Sequence, residues 1–248
     1  MQEVATRYAR DAIGKRKLGA MKLKAVVFDV IETLFDIQPL EKELEDVGLP
    51  AGSLKVWFAR LLRDAFALEV AGEYKSFAEI SSAALEALLR EHQVEPNRST
   101  IDQIIASFAE LPAHPDVKTA FETLCTVKLP IVPLTNGSAE TTKKMFRNAR
   151  LDNFIERYIS IDEVKHWKPA REVYLHATKT LGLDPTQIVL ISAHDWDIRG
   201  AKRAGFVTAF IQRKTVFSSA MGEPDFSAGT LQELAGNLLR SQISPSQE

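Results

Sequence analysis

The sequence predicts an α/β protein: a parallel sheet covered by helices on both faces, with a helical segment inserted after the first strand. Short apolar runs alternate with amphipathic helical segments along most of the 248-residue chain, and this alternation is typical of parallel sheets. It breaks once, between residues 36 and 112, where every periodic segment has helical spacing. The length suits one mid-sized domain that carries a substantial insertion.

The first strand is predicted over Lys24–Phe28, because KAVVF is too short for a helix and apolar enough to be buried on both sheet faces. Helical spacing over Ala139–Ala149 and Glu172–Leu181 separates later strands. Those strands are predicted over four further apolar runs: Ile131–Leu134, Arg157–Ile161, Ile188–Ile191 and Val207–Ile211.

Three helices are predicted in the insertion, over Leu54–Val70, Phe77–His92 and Thr100–Ala109, with Ser99 as the N-cap of the last. Residues 37–112 are therefore assigned to a helical cap, and residues 23–36 and 113–240 to the core. Ligands of open parallel sheets bind beyond the carboxyl ends of the strands. A cap inserted there is placed to close over a site.

Composition limits the classes of function. The formal net charge of −2 gives no basic field for nucleic acid, and the five histidines show no close pairing of the kind that binds zinc. No apolar run approaches the roughly 20 residues of a membrane helix. The single cysteine, Cys125, excludes an intrachain disulfide and fits a cytoplasmic location, and its apolar neighbours predict a buried thiol.

Both ends of the chain are predicted to lie outside the core. Residues 1–22 are basic but lack the apolar stretch of a secretory signal, so a flexible extension ahead of Met21 and a targeting segment both stay open. Residues 241–248 are polar and are predicted to form a tail.

Four polar clusters lie either directly after a predicted strand or at the start of a predicted helix. Asp29 comes directly after the first strand, and Thr135-Asn136 after the second. A third cluster holds Lys168, with Pro169 suited to the first turn of the next helix. The fourth cluster follows a buried strand and contains Ser192, His194, Asp195, Trp196 and Asp197. Taken singly, each has an ordinary explanation as a cap, a turn or a solvated side chain.

Together the clusters place two carboxylates, hydroxyl and amide groups and a lysine at one edge of the sheet. A nucleophilic aspartate needs a nearby cation that keeps it ionised. Lys168 can supply that cation for Asp29, and a second carboxylate can position the water that later cleaves an ester.

In order and spacing, the four clusters resemble the motifs of the haloacid dehalogenase superfamily. The resemblance spans the chain from Lys24 to about Gly205 and implies a Rossmann-like core, a helical cap and Asp29 as nucleophile. Superfamily phosphatases carry a second Asp at the position of Ile31 and a magnesium-binding Asp at the position of Ala193. The chain is more similar to the type II 2-haloacid dehalogenases, which need no metal or other cofactor.

The resemblance to that branch implies a role for each matching residue. Asp29 attacks the carbon that bears the halogen, Thr33 orients it, Lys168 neutralises it, and Asp197 positions the hydrolytic water. The substrate, a small carboxylic acid, is expected to meet residues on both sides of the sheet edge: Ile31, Phe58, Thr135, Asn136, Tyr174, Ser192, His194 and Trp196. Tyr174 and Ser192 are expected to support Lys168, and the resemblance also suggests a homodimer.

One departure from the pattern is in the first cap helix. The dehalogenases have a Trp followed directly by an Arg that receives the halide, but here Trp57 is followed by Phe58. Arg60 lies two positions further on, about 200° round the helix, so it is predicted to face away. Two other functions therefore stay open: a magnesium-dependent phosphatase, and a binding protein that keeps the fold.

Overall fold

The computed structural model describes residues 22–243, so predictions for residues 1–21 and 244–248 lie outside the part described. The sheet is parallel throughout and has the order β3-β2-β1-β4-β5-β6. Its strands are β1 (Ala25–Phe28), β2 (Ile131–Thr135), β3 (Ile159–Ser160), β4 (Ile188–Ser192), β5 (Val207–Ile211) and β6 (Phe226–Ala228). The predicted fold class is confirmed.

Helices flank the sheet and fill the insertion. They are α1 (Leu40–Asp46), α2 (Ser53–Ala71), α3 (Phe77–Glu91), α4 (Arg98–Ala106), α5 (Val117–Cys125), α6 (Ala139–Asn148), α7 (Arg171–Leu181), α8 (Asp195–Ala204) and α9 (Leu231–Ile243). Short 3₁₀ turns occupy Ser107–Glu110, Asp152–Phe154, Ile161–Glu163, Pro185–Gln187 and Ser219–Met221. Within residues 22–243, no helix combines the length and apolar character needed to cross a lipid bilayer.

The centre of the sheet brings the polar clusters together. Every residue of β1 is buried, and Phe28 pairs with Pro133 of β2 on one side and Ile191 of β4 on the other. The carboxyl ends of these three strands therefore meet at one edge. The chain runs outward in opposite directions from β1, through β2 to β3 and through β4 to β5. Such a reversal of strand order creates a crevice in which open α/β sheets bind ligands.

Helices α1 to α4 lie between β1 and β2, in the segment predicted to be a cap. Gly72 follows the last residue of helix α2 and, with a φ of 76°, forms its left-handed C-cap. Helix α3 begins with a capping box between Ser76 and Glu79. The two helices pack together, and the buried Trp57 donates from its indole N–H to the carbonyl of Ser81 at 2.9 Å. Trp57 therefore belongs to the apolar centre of the insertion.

Several local predictions are wrong. The third strand is confined to Ile159–Ser160, because Arg157 lies exposed in the preceding loop. Helix α4 begins at Arg98 with Asn97, not Ser99, as its N-cap, since the Asn97 side chain accepts from the N–H of Thr100.

Cys125 is exposed, contrary to the prediction of a buried thiol. The buried positions of α5 end at Leu124, and the next residue turns about 100° away from that face. At the end of the described chain, α9 continues to Ile243, three residues into the segment predicted to be a tail.

Candidate active site

Asp29 lies directly beyond β1 with its carboxylate buried. Its Oδ2 accepts a hydrogen bond from the Thr33 hydroxyl at 2.6 Å, and its Oδ1 accepts one from Lys168 Nζ at 2.7 Å. The Thr33 oxygen in turn accepts from the backbone N–H of Ala193 at 2.8 Å. Asp29 is therefore fixed in one orientation at the central crevice.

Lys168 joins the two carboxylates that the sequence placed after β1 and after β4. Its ammonium group is completely buried and lies 2.7 Å from Asp29 Oδ1 and 2.9 Å from Asp197 Oδ2. The other Asp197 oxygen accepts from the Tyr174 hydroxyl at 2.6 Å. Charge pairing and hydrogen bonding together make this buried cluster tolerable, because an isolated buried charge costs on the order of several kcal/mol in desolvation.

The cluster fixes the charge of its members. Burial raises the pKa of Asp29, but the charges of Lys168 and His194 and hydrogen bonds from Lys168 and Thr33 outweigh it and hold the pKa below the usual value. Burial lowers the pKa of Lys168, and the two carboxylates raise it above its usual value. Burial and the Asp197 charge raise the pKa of Tyr174, which stays a hydrogen-bond donor. Asp29 is thus an ionised carboxylate beside a cation.

The polar residues at the ends of β2 and β4 accept hydrogen bonds from backbone N–H groups of nearby loops. The Thr135 hydroxyl accepts from the N–H of Gly137 at 2.9 Å, and Asn136 Oδ1 accepts from the backbone N–H of Lys168 at 3.2 Å. The Ser192 hydroxyl accepts from the N–H of His194 at 3.1 Å. Ser192 was predicted to support Lys168, but its hydrogen bond serves the loop that carries His194.

Aromatic rings form a wall beside Asp29. The His194 imidazole stacks on Trp196 with centroids 4.8 Å apart and on Phe58 of α2 with centroids 6.3 Å apart. Phe66, also on α2, contacts Trp196 edge-on at 5.3 Å. This wall, formed by Phe58, His194, Trp196 and Phe66, is called the aromatic wall below. It brings the insertion into contact with the sheet edge.

Neither arginine near Phe58 faces the site. Arg60 forms a bidentate pair with Glu91 of α3, and Arg63 pairs with Asp64 at the surface. The predicted misdirection of Arg60 is confirmed, so Phe58 is the α2 side chain that meets His194.

Comparison with known proteins fixes the family. Residues 23–205 match the haloacid dehalogenase-like hydrolase family. The chain belongs to this family. Similar proteins include (S)-2-haloacid dehalogenase 4A of Burkholderia cepacia, 29% identical over 77% of this chain and 84% of the relative. Haloacetate dehalogenase H-2 of Moraxella sp. is 26% identical over 83% of this chain and 93% of the relative.

A solved structure agrees with the sequence comparison. The L-2-haloacid dehalogenase from Xanthobacter autotrophicus superposes with a TM-score of 0.82 at 25% identity, and the match covers 88% of this chain and 98% of that one. The resemblance inferred from the four polar clusters is confirmed.

The side chains of this family member do not suit magnesium. Ile31 and Ala193 occupy the positions at which the resemblance to superfamily phosphatases requires aspartates. Asp195, a potential substitute ligand, accepts from the N–H groups of Trp196 at 2.8 Å and Ser218 at 3.1 Å. Across residues 22–243, His, Cys, Asp and Glu side chains form no group of three that could hold a metal ion. The phosphatase alternative is not favoured, since the donors that it needs are replaced by apolar groups.

Glu69, which the sequence did not single out, ties the insertion to the loop that carries Lys168. Its Oε1 pairs with His166 Nδ1 and its Oε2 accepts from the backbone N–H of Trp167, both at 2.8 Å. The Trp167 indole N–H donates to the carbonyl of Lys75 at 2.9 Å. These contacts span more than 90 residues of sequence, so no local pattern could reveal them.

The same loop packs closely on α8. Pro169 was predicted to open the next helix, but α7 begins at Arg171 after an extended Ala170, and the Lys168–Pro169 peptide is cis. A Cβ on Gly200 would lie 2.8 Å from the Pro169 carbonyl and 2.5 Å from the Tyr174 hydroxyl. Only a residue without a side chain therefore fits at position 200.

Two further residues near the loop after β1 had not been assigned a role. Glu32 has a φ of 62°, in the left-handed region that favours glycine. Arg213 donates to the carbonyl of Thr33 at 3.1 Å and pairs with Asp116 at 2.8 Å. Arg213 thus supports the loop that orients Asp29.

Proposed function

We propose that the chain hydrolyses the carbon–halogen bond of short (S)-2-haloacids to 2-hydroxy acids. The observation that carries this proposal is a buried, ionised Asp29 held by Thr33 and Lys168, with the apolar Ile31 where a proton donor would stand. The alcohol part of a phosphate ester leaves as an alkoxide that needs a proton, whereas a halide leaves as a stable anion. The names of the related dehalogenases support the same chemistry.

In the first step, an Asp29 oxygen attacks carbon 2 from the side opposite the halogen. The carbon–oxygen bond forms as the carbon–halogen bond breaks, the electron pair leaves with the halide, and the configuration inverts. Lys168 keeps Asp29 ionised and close to the substrate carboxylate. We assign the binding of that carboxylate to Thr135 and Asn136 at the end of β2.

The aromatic wall and Ile31 complete the proposed pocket. Ile31 and Phe58 are apolar, and Trp196 is only partly buried, so these side chains suit the hydrocarbon and halogen parts of a substrate. In the second step, water attacks the Asp29 ester carbonyl, releases the 2-hydroxy acid and restores the carboxylate. A homodimer and a cytoplasmic location belong to the proposal, on the basis of the family resemblance and the single cysteine.

Halide release tests this function. We expect chloride or bromide from (S)-2-chloropropionate or (S)-2-bromopropionate, with an (R)-hydroxy acid as product, and little turnover of p-nitrophenyl phosphate. The rate should be the same after dialysis against EDTA, because Lys168 takes the place of a metal between the carboxylates. Magnesium-dependent phosphate release without halide release would overturn the proposal.

The replacement of the usual arginine by Phe58 predicts a slow first step. Phe58→Arg should raise the rate of chloride release about 10-fold, because a guanidinium can stack on the His194 ring and meet the departing anion. The gain should stay below the roughly 10²–10³-fold effect of one well-placed donor, since burying the cation is costly. The measurement is the single-turnover rate with (S)-2-chloropropionate.

Phe58→Met is the matched control, because it keeps an apolar side chain of similar length and adds no charge. It should leave the rate within a few-fold of the unmodified protein. A loss of activity in Phe58→Arg, together with fast turnover by the unmodified protein, would show that another group receives the halide.

A further inference from the structure

The hydrolytic step lacks a free base in the ion cluster. Asp197 was expected to position the water, but one of its oxygens is held by Lys168 and the other by Tyr174, and its side chain is completely buried. Because its side chain has no exposed surface, a water cannot reach either oxygen without displacing one of these partners. Asp197 instead positions Lys168, so the water that cleaves the ester needs another proton acceptor.

A second carboxylate lies on the other side of the nucleophile. His194 Nε2 is 3.6 Å from Asp29 Oδ2 and 3.8 Å from Glu32 Oε2, and it is 3.1 Å from the carbonyl of Ile31. With three oxygen acceptors around it, Nε2 carries the proton and acts as a donor. The hydrogen bond of Nε2 is to the Ile31 carbonyl, and the carboxylates of Asp29 and Glu32 both lie within ion-pair distance of the same nitrogen.

We propose that Glu32 accepts the proton of the water that hydrolyses the Asp29 ester, while His194 Nε2–H and the Thr33 hydroxyl stabilise the oxyanion on Asp29 Oδ2. This assignment rests on the proposed function, because only an ester on Asp29 requires such a water. His194 Nε2 lies 3.6 Å from Asp29 Oδ2, the oxygen on which negative charge develops when water attacks the ester. Its position therefore suits the second step.

The backbone supports a functional role for Glu32. A non-glycine residue at φ 62° is strained by its Cβ, and of the five such residues within residues 22–243, Glu32 is the one that lies between Asp29 and Thr33 in the sequence. Burial, partly opposed by the charge of His194, raises the pKa of Glu32 above its usual value. A carboxylate with a raised pKa is a stronger base, which suits proton transfer from water.

Glu32 is also accessible to water. Its side chain is 30% exposed, against 6% for Asp29. Glu32 and His194 line a cavity of about 20 Å³ together with Asp36, His114, Arg213 and Lys214. A single water needs roughly 10–15 Å³, so the cavity has room for one.

Glu32 takes up one proton and returns it within the step. The water oxygen bonds to the carboxyl carbon of Asp29, and one water proton passes to Glu32. The oxyanion on Oδ2 then collapses, the bond from the carboxyl carbon to the substrate oxygen breaks, and that oxygen takes the proton back from Glu32. The restored Asp29 carboxyl group ionises beside Lys168 and releases its proton to solvent.

Rapid-quench kinetics with (S)-2-bromopropionate separate the two steps. In Glu32→Gln, we expect one bromide per site to be released at close to the unmodified rate, followed by turnover slowed about 10²-fold or more. Intact-protein mass spectrometry should show the propionyl ester accumulating on Asp29. His194→Phe, which keeps the stacked ring and removes the donor, should also accumulate the ester.

Two more variants test whether the effect of Glu32→Gln is purely structural. Glu32→Gly should unfold at a higher temperature, because glycine relieves the left-handed strain, and it should still accumulate the ester. Asp36→Asn alters a carboxylate that lines the same cavity and should leave both steps unchanged.

The proposal is overturned if Glu32→Gln slows bromide release as much as turnover, or if no ester accumulates while turnover falls. Normal turnover in Glu32→Gln would overturn it as well. If the unmodified protein releases no bromide and forms no ester, the proposed function itself fails, and the assignment of Glu32 falls with it.

Discussion

Asp29→Asn should abolish steady-state halide release, with a loss of at least about 10³-fold, while the protein keeps its fold. The amide has nearly the shape of the carboxylate but is a far poorer nucleophile. The fold should survive because Lys168 keeps its ion pair with Asp197, and the carbonyl oxygen of the introduced amide can still accept from Lys168. Halide release and circular dichroism measure the two outcomes.

Isotope labelling shows whether Asp29 forms a covalent intermediate. After many turnovers in H₂¹⁸O, the Asp29 carboxylate of the unmodified protein should contain ¹⁸O, because water attacks its own carbonyl carbon. In a single turnover, the label should be in Asp29 and absent from the hydroxy acid. An unlabelled Asp29 after many turnovers would mean that water attacks the substrate directly.

Asp195→Asn is the matched control for the loss of a carboxylate at the same edge of the sheet. Asp195 accepts from two backbone N–H groups and has no contact with Lys168 among its hydrogen bonds. Turnover should therefore change by no more than a few-fold. A loss as large as that of Asp29→Asn would indicate that the whole edge of the sheet is sensitive to charge.

The sequence predicted the centre of the site because strand ends converge in a parallel sheet. Asp29 follows β1 directly, and Asp197 lies in the first turn of the helix after β4, so both had to lie near the same crevice. Lys168 has no strand directly before it. Two neighbouring carboxylates repel each other unless a cation lies between them, and Lys168 supplies that cation. Chemistry and topology together identified these three residues.

Contacts set by tertiary structure could not be predicted. Glu69 reaches the Lys168 loop across the interface between the insertion and the core, and Glu32 combines a left-handed φ with a position 3.8 Å from His194. Its neighbours in sequence gave no indication of that conformation. Cys125 shows the same limit, since an apolar neighbourhood in sequence does not fix which face of a helix is buried.

Lys168→Met should be the most destabilising change, reducing the free energy of unfolding by about 3–5 kcal/mol near neutral pH. The ammonium is completely buried between Asp29 and Asp197, so its removal leaves two buried carboxylates without a cation. Turnover should also be lost, because the pKa of Asp29 rises when Lys168 no longer lowers it. Urea denaturation and halide release give the two measurements.

Lowering the pH should reduce the difference in the free energy of unfolding between Lys168→Met and the unmodified protein. The folded-state pKa of Asp29 lies below 3.8, so its ion pair contributes stability above that pH and loses it as the pH falls through the folded pKa. Once Asp29 is protonated, the variant buries less unpaired charge. The pKa of Lys168 lies above 10.5, so the lysine's own contribution is complete throughout the neutral and acidic range.

Lys165→Met makes the same substitution three residues earlier on the same loop. Lys165 is exposed and lies 4.8 Å from the centre of the Tyr74 ring, a contact worth about 0.5–1 kcal/mol at an exposed site. The loss of stability in Lys165→Met should therefore be small and nearly independent of pH. If Lys168→Met were no less stable than Lys165→Met, or if its deficit persisted unchanged in acid, Lys168 would not be the cation that stabilises two ionised carboxylates, and Asp29 would lack the charge that makes it a nucleophile.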